Sequence, residues 1–93
     1  MYRITLTCAG LSENEGANAG NDVLEEFSHR SSHANVKCYF DGTLLRLTGE
    51  NNFDESGLAL LDEFGDAIHA CVSYSGAIHL EVESVVKFDA PAA

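Results

Sequence analysis

Glu25, His29 and His33 recur at intervals of four residues, a spacing that puts side chains on one face of a continuous helix. A carboxylate and two imidazoles form a ligand set that can hold zinc. Against this, Ser31-Ser32 should end the helix before His33, and a histidine near a helix C-terminus is favoured by the dipole alone. The trio therefore stands as a candidate, and no metal and no cofactor are expected. Nucleophilic chemistry has less support. Cys71 and His69 are two residues apart, and on a helix such residues do not face each other. Cys8 and Cys38 fall on the core side of their strands, where thiols are inert packing. The chain has no GxSxG, P-loop or HExxH motif, so a non-enzymatic role is expected. The remaining oddity is Gly65, on the apolar side of a helical segment between Leu61 and Ile68. A mid-helix glycine costs about 1 kcal/mol relative to alanine, and close packing against a bulky neighbour is the expected reason.

Charge gives the stronger functional signal. Fifteen Asp and Glu against five Lys and Arg leave a formal net charge of −10. That balance excludes phosphate-led nucleic-acid binding and a polybasic membrane surface. From Asp54 to Val72 there is no Lys or Arg. Glu55, Asp62 and Asp66 are spaced i, i+7, i+11 and predict a solvent stripe, with Glu63 beside it. Asp22, Glu25 and Glu26 extend the acidic layer on the first helix. Like charges at i, i+4 destabilise an isolated helix, so an acidic stripe without lysines fits attraction of a basic partner as well as plain solubility. A second candidate surface is the open face of the sheet, with Arg3, Lys37, Tyr39, Leu44, Arg46 and His79. There Lys37 is expected opposite Arg46, a repulsive cross-strand pair. Glu81 and Glu83 are expected to pair with Arg3, leaving Lys37 and Arg46 free for an anion or a partner.

The elements that position these residues follow from periodicity. Tyr2, Ile4, Leu6 and Cys8 alternate with Arg3, Thr5 and Thr7, a half-buried strand. A polar stretch from Gly10 to Asn14 precedes a helix carrying Val23, Leu24 and Phe27, its start blurred by Gly16 and Gly20 and its end placed at Ser31-Ser32. Val36–Phe40 and Thr43–Leu47 flank Asp41-Gly42, which reads as a two-residue hairpin turn. That register sets Phe40 against Thr43 and Cys38 against Leu45. A second helix over 54–72 is expected, with Asp54 as N-cap and Phe53 and Leu58 as a hydrophobic staple. Its apolar stripe would be Leu58, Leu61, Phe64, Ile68 and Val72. Ile78, Leu80 and Val82 open a last strand whose alternation slips near Ser84, as at a bulge.

Strand, helix, strand, strand, helix, strand predicts an α+β, ferredoxin-like fold, a four-stranded antiparallel sheet with two helices on one face. Right-handed crossovers give the order 4-1-3-2. Residues 1–89 should form the single domain and 90–93 a frayed tail. Three widely spaced cysteines with no CxxC read as free thiols, which suits a cytoplasmic protein. The N-terminus has no apolar signal-peptide core, and no apolar run approaches the ~20 residues a membrane helix needs.

Function is then expected to be that of a small acidic protein-binding domain of the inhibitor or immunity type. It would occupy a basic surface on a partner such as a nuclease or a nucleic-acid-binding complex, with no direct nucleic-acid contact and no membrane. The alternative is a homodimeric regulatory or assembly module pairing through the open sheet face or an edge strand, burying Tyr39 and Leu44. A lesser alternative is a small-anion binder or enzyme on that face.

Overall fold

The computed structural model describes residues 1–30 and 32–89. The elements are β1 (Tyr2–Ala9), α1 (Glu13–Phe27), β2 (Ala34–Phe40), β3 (Leu45–Asn51), α2 (Leu58–Cys71) and β4 (His79–Lys87). The fold is α+β. One antiparallel sheet has the order β2-β3-β1-β4, which counted from the other edge is 4-1-3-2. β1 lies at the centre with β3, and its alternation turns one face to the core. Ile4, Leu6 and Cys8 are fully buried beside Leu45 and Leu47 of β3, and Val23 and Phe27 of α1 and Leu60, Phe64, Ala67 and Ile68 of α2 close over them. The tail proposed over 90–93 lies outside the described residues.

α1 forms in spite of its glycines because its N-terminus is fully capped. Ser12 accepts a hydrogen bond from the Glu15 backbone N–H at 3.2 Å, and Glu15 accepts one from the Ser12 backbone N–H at 2.8 Å. This reciprocal box satisfies two donors that a helix start leaves open. Glu15 also accepts from the backbone and hydroxyl of Ser75, at 2.9 and 3.1 Å, so the same carboxylate ties the connection after α2 to the start of α1. The glycines have a packing role. A Cβ on Gly16 would lie 2.4 Å from the Phe40 ring, and one on Gly20 would lie 3.1 Å from the Cys38 carbonyl oxygen. The helix ends at Phe27 with Ser28 as C-cap, earlier than expected; Ser31 lies outside the described residues.

The β2–β3 connection corrects the hairpin reading. Phe40 pairs with Leu45, Tyr39 with Arg46, Cys38 with Leu47 and Lys37 with Thr48. The loop is four residues, not two, because the Asp41 carboxylate accepts from the backbone N–H groups of Thr43 and Leu44, at 2.9 and 2.8 Å. An Asp side chain of this kind builds its own turn. The register is shifted by two, so every side chain keeps its face, but Lys37 no longer opposes Arg46. The bulge expected near Ser84 is present, since β4 carries one extra residue between Val82 and Ser84 where β1 steps from Leu6 to Thr5.

α2 is shorter than expected and rotated. It starts at Leu58, after a left-handed Gly57. Asp54 is still a cap, but from a distance: its buried carboxylate accepts from the backbone N–H groups of Ala59 and Leu60, at 3.1 and 2.9 Å. The staple does not form, because Phe53 and Leu58 are both exposed. The buried stripe is Leu60, Phe64, Ala67 and Ile68. Leu58 faces solvent and Leu61 is half-buried, so two leucines assigned to the core lie at or outside its edge.

Candidate functional site

The zinc candidates do not come together. His33 lies beyond the end of α1, its side chain 1% exposed, enclosed by the rings of Phe27 and Phe53. The Asn51 side-chain oxygen accepts from the backbone N–H groups of Phe53 and Asp54, at 3.1 and 2.8 Å, which fixes the amide. Its nitrogen therefore faces His33 Nδ1 at 3.0 Å and donates to it. Nε2 must then carry the ring proton, and it donates to Glu63. Both ring nitrogens are used, and the histidine joins the start of β2 to the end of β3 and to α2. Glu25 and His29 instead line an acidic recess with Asp22, Glu26 and Cys71. No group of three or more His, Cys, Asp or Glu positioned for a metal ion is present among the described residues.

The thiols are poor nucleophiles. Burial pushes Cys8 up to about 11. Cys38 rises to about 12 through burial and then the neighbouring thiols Cys71 and Cys8. Cys71 is raised by burial and then by Asp22, Glu26 and Glu25.

The open sheet face is a charge network that differs from the expected one. Arg3 donates to Glu50 at 2.8 Å and stacks over the Phe88 ring at 4.7 Å. Asn35 donates to the other Glu50 oxygen at 2.6 Å. These two bonds, Asn35 first, hold the Glu50 carboxyl below the usual range. Arg46 bonds Asp41 at 2.6 Å and Glu83 at 3.1 Å, and Glu83 and then Asp41 keep it more firmly protonated than a free guanidinium. Since β1 lies between β3 and β4, the Arg46–Glu83 pair spans that central strand, where Thr7, opposite Arg46, is only 4% exposed. Glu83 thus pairs with Arg46 and not with Arg3, and of the sheet-face cations only Lys37 lacks an ion pair among the described residues. His79 pairs with Glu81 at 3.4 Å. Tyr39 is exposed beside Arg46, whereas Leu44 sits in the loop before β3 and not opposite Tyr39.

Among the described residues the carboxylates without an ion pair include Asp22 and Glu25 of α1 and part of the acidic face of α2. Glu63 is not among them, because it is held by His33 and lies 3.6 Å from Arg30. Glu55 lies in the turn before α2, so the helical stripe reduces to Asp62 and Asp66. Both are exposed, and neither has a cationic partner among the described residues. They stand over an open groove between α2 and β4, about 630 Å³ in volume, whose walls include Leu58, Leu61, Gly65, His69 and Leu80. Gly65 is not there for close packing. A Cβ at this position would meet nothing within 4 Å. Sequence reasoning named Leu58, Leu61, Gly65 and Asp62 but assigned the first three to the core. The exposed aliphatic wall was hidden in the unbroken apolar run Leu58-Ala59-Leu60-Leu61, in which any stripe is possible.

No helix among the described residues is long and apolar enough to cross a membrane. Comparison with protein-family models, curated proteins and solved structures finds no match to this chain.

Proposed function

We propose that this chain is a small acidic, non-enzymatic binding domain with a ferredoxin-like arrangement that occupies a basic surface of a protein partner. An inhibitor or immunity-type protein acting on a nuclease or a nucleic-acid-binding complex is the role that fits this chemistry. The observation that carries the reading is the asymmetry of charge neutralisation. Arg3, Arg30 and Arg46 are all engaged by carboxylates of the domain itself and Lys37 is not, while Asp62 and Asp66 stand exposed on α2 with no cationic partner among the described residues. Exposed carboxylates on a fixed scaffold present the same charge as nucleic-acid phosphates to a cationic site and speed encounter with it. The free thiols suit a reducing cytoplasm.

Affinity purification from cells over a salt series tests the reading. The partner should be a basic protein, retained at low salt and released as salt rises. The double substitution Asp62→Lys with Asp66→Lys should weaken its binding at least about tenfold, since charge reversal opposes both steering and contact. A partner bound equally well by the double variant contradicts the proposal.

A further inference from the structure

We infer that the groove between α2 and β4 seats an aliphatic side chain from a basic segment of that partner, with Gly65 as the floor position that leaves room for it. The inference rests on the acidic-surface reading and specifies the site and the recognised chemistry. Glycine is the poorest helix former after proline, and at positions 16 and 20 the protein uses it to let another element approach. At position 65 no element approaches: the space where a side chain would stand is open. The internal packing of the domain therefore gives no reason for it.

The groove is lined by leucines from α2 and β4 and by the two aspartates of α2. Leu58 is 61% exposed, and Leu61 and Leu80 are half-buried against the same space. Asp62 and Asp66 are neighbours at i, i+4, an arrangement that repels in the free helix. A purely apolar occupant would cover these carboxylates without pairing them, which is costly. A purely cationic occupant would leave the leucines wet. A segment in which a Leu, Ile or Met is flanked by Lys or Arg satisfies both, with the aliphatic side chain over Gly65 and the cations on the two aspartates. The groove is open and not enclosed, which suits a protein segment better than a small molecule, since small-molecule sites enclose most of their ligand.

Selection of a random peptide library displayed on phage against the full chain tests this directly. The enriched peptides should carry an aliphatic residue with Lys or Arg close on either side. A synthetic copy of the strongest should shift the amide resonances of Leu58, Gly65 and Leu80. Its affinity should fall at least about tenfold for Gly65→Leu, as when an anchor pocket is filled, and as much for Asp62→Lys with Asp66→Lys. Circular dichroism establishes that Gly65→Leu is folded, and Gly65→Ala, which intrudes less, should give a smaller loss in the same direction. Basic peptides without an aliphatic position, or bound equally by Gly65→Leu, would overturn the groove and leave the acidic surface standing. Enrichment of peptides without basic residues, or of none, would overturn both.

Discussion

The two seams between helices and edge strands use glycine in opposite ways. Along α1 and β2, Gly16 and Gly20 let the strand come so close that a Cβ at either position would press on Phe40 or on the Cys38 carbonyl. At the end of that seam His33 joins β2 to Glu63 and Asn51. Along α2 and β4, Gly65 faces open space, the exposed Leu58 and the half-buried Leu61 and Leu80 line the gap, and Asp62 and Asp66, without a cationic partner among the described residues, edge it. The first seam also has an open recess, about 460 Å³, lined by Gly16, Gly20, Cys38, Tyr39 and Phe40, but its glycines are pressed by the strand. The second has a glycine that nothing presses, beside partly exposed leucines and two carboxylates, a combination of apolar surface and charge that suits binding.

Substitutions in the two seams should therefore differ in size and in sign. The largest effect is expected on the side of α1 and β2, where the glycines are in contact with the strand. His33→Ala removes a ring enclosed by Phe27 and Phe53 and strands the Asn51 amide, and should cost about 2–3 kcal/mol by denaturant unfolding. Gly16→Val should cost about 2 kcal/mol by overpacking against Phe40, with a lowered melting temperature. On the side of α2 and β4 the sign reverses: Gly65→Ala should stabilise the free protein by about 1 kcal/mol, the helix-propensity difference alone. Equal destabilisation by the Gly16 and Gly65 substitutions would erase the distinction between the seams.

A smaller effect concerns the sheet face. Glu50 has its carboxyl lowered by Asn35 and Arg3. A group whose folded-state pKa is depressed stabilises the fold above its unfolded pKa, and that contribution is lost as pH falls through the folded value. Thermal melts of wild type should therefore lose stability as pH falls through and below the ordinary carboxylate range, and Glu50→Gln should lose less over the same interval. Matching pH profiles for the two proteins would show that the Arg3–Glu50 pair contributes nothing.

The sequence carried the element order and the sides of the strands, because period-two alternation in β1 and β4 survives any local error. Even the misread hairpin kept its faces, since the Asp41 loop moved the register by two residues and not by one. The losses were local. Ser12 and Glu15 spell a capping box that would have placed the start of α1, but the glycines that follow drew the reading away. In α2 four consecutive apolar residues left the orientation undetermined, and the rotation that exposes Leu58 depends on Leu60 fitting over Gly49, a contact no periodicity reveals. The acidic face was legible in Asp62 and Asp66. Glu63 was not separable from them, because its partners His33 and Arg30 lie some thirty residues away in the chain.

The central claim is that the seam between α2 and β4 is a binding site and not a packing defect. It is tested most directly by Gly65→Leu, measured for thermal stability and for affinity toward the peptide selected on the wild-type chain. The account predicts a melting temperature at or above that of wild type, together with a loss of affinity of at least about tenfold. A lowered melting temperature with unchanged affinity would contradict it.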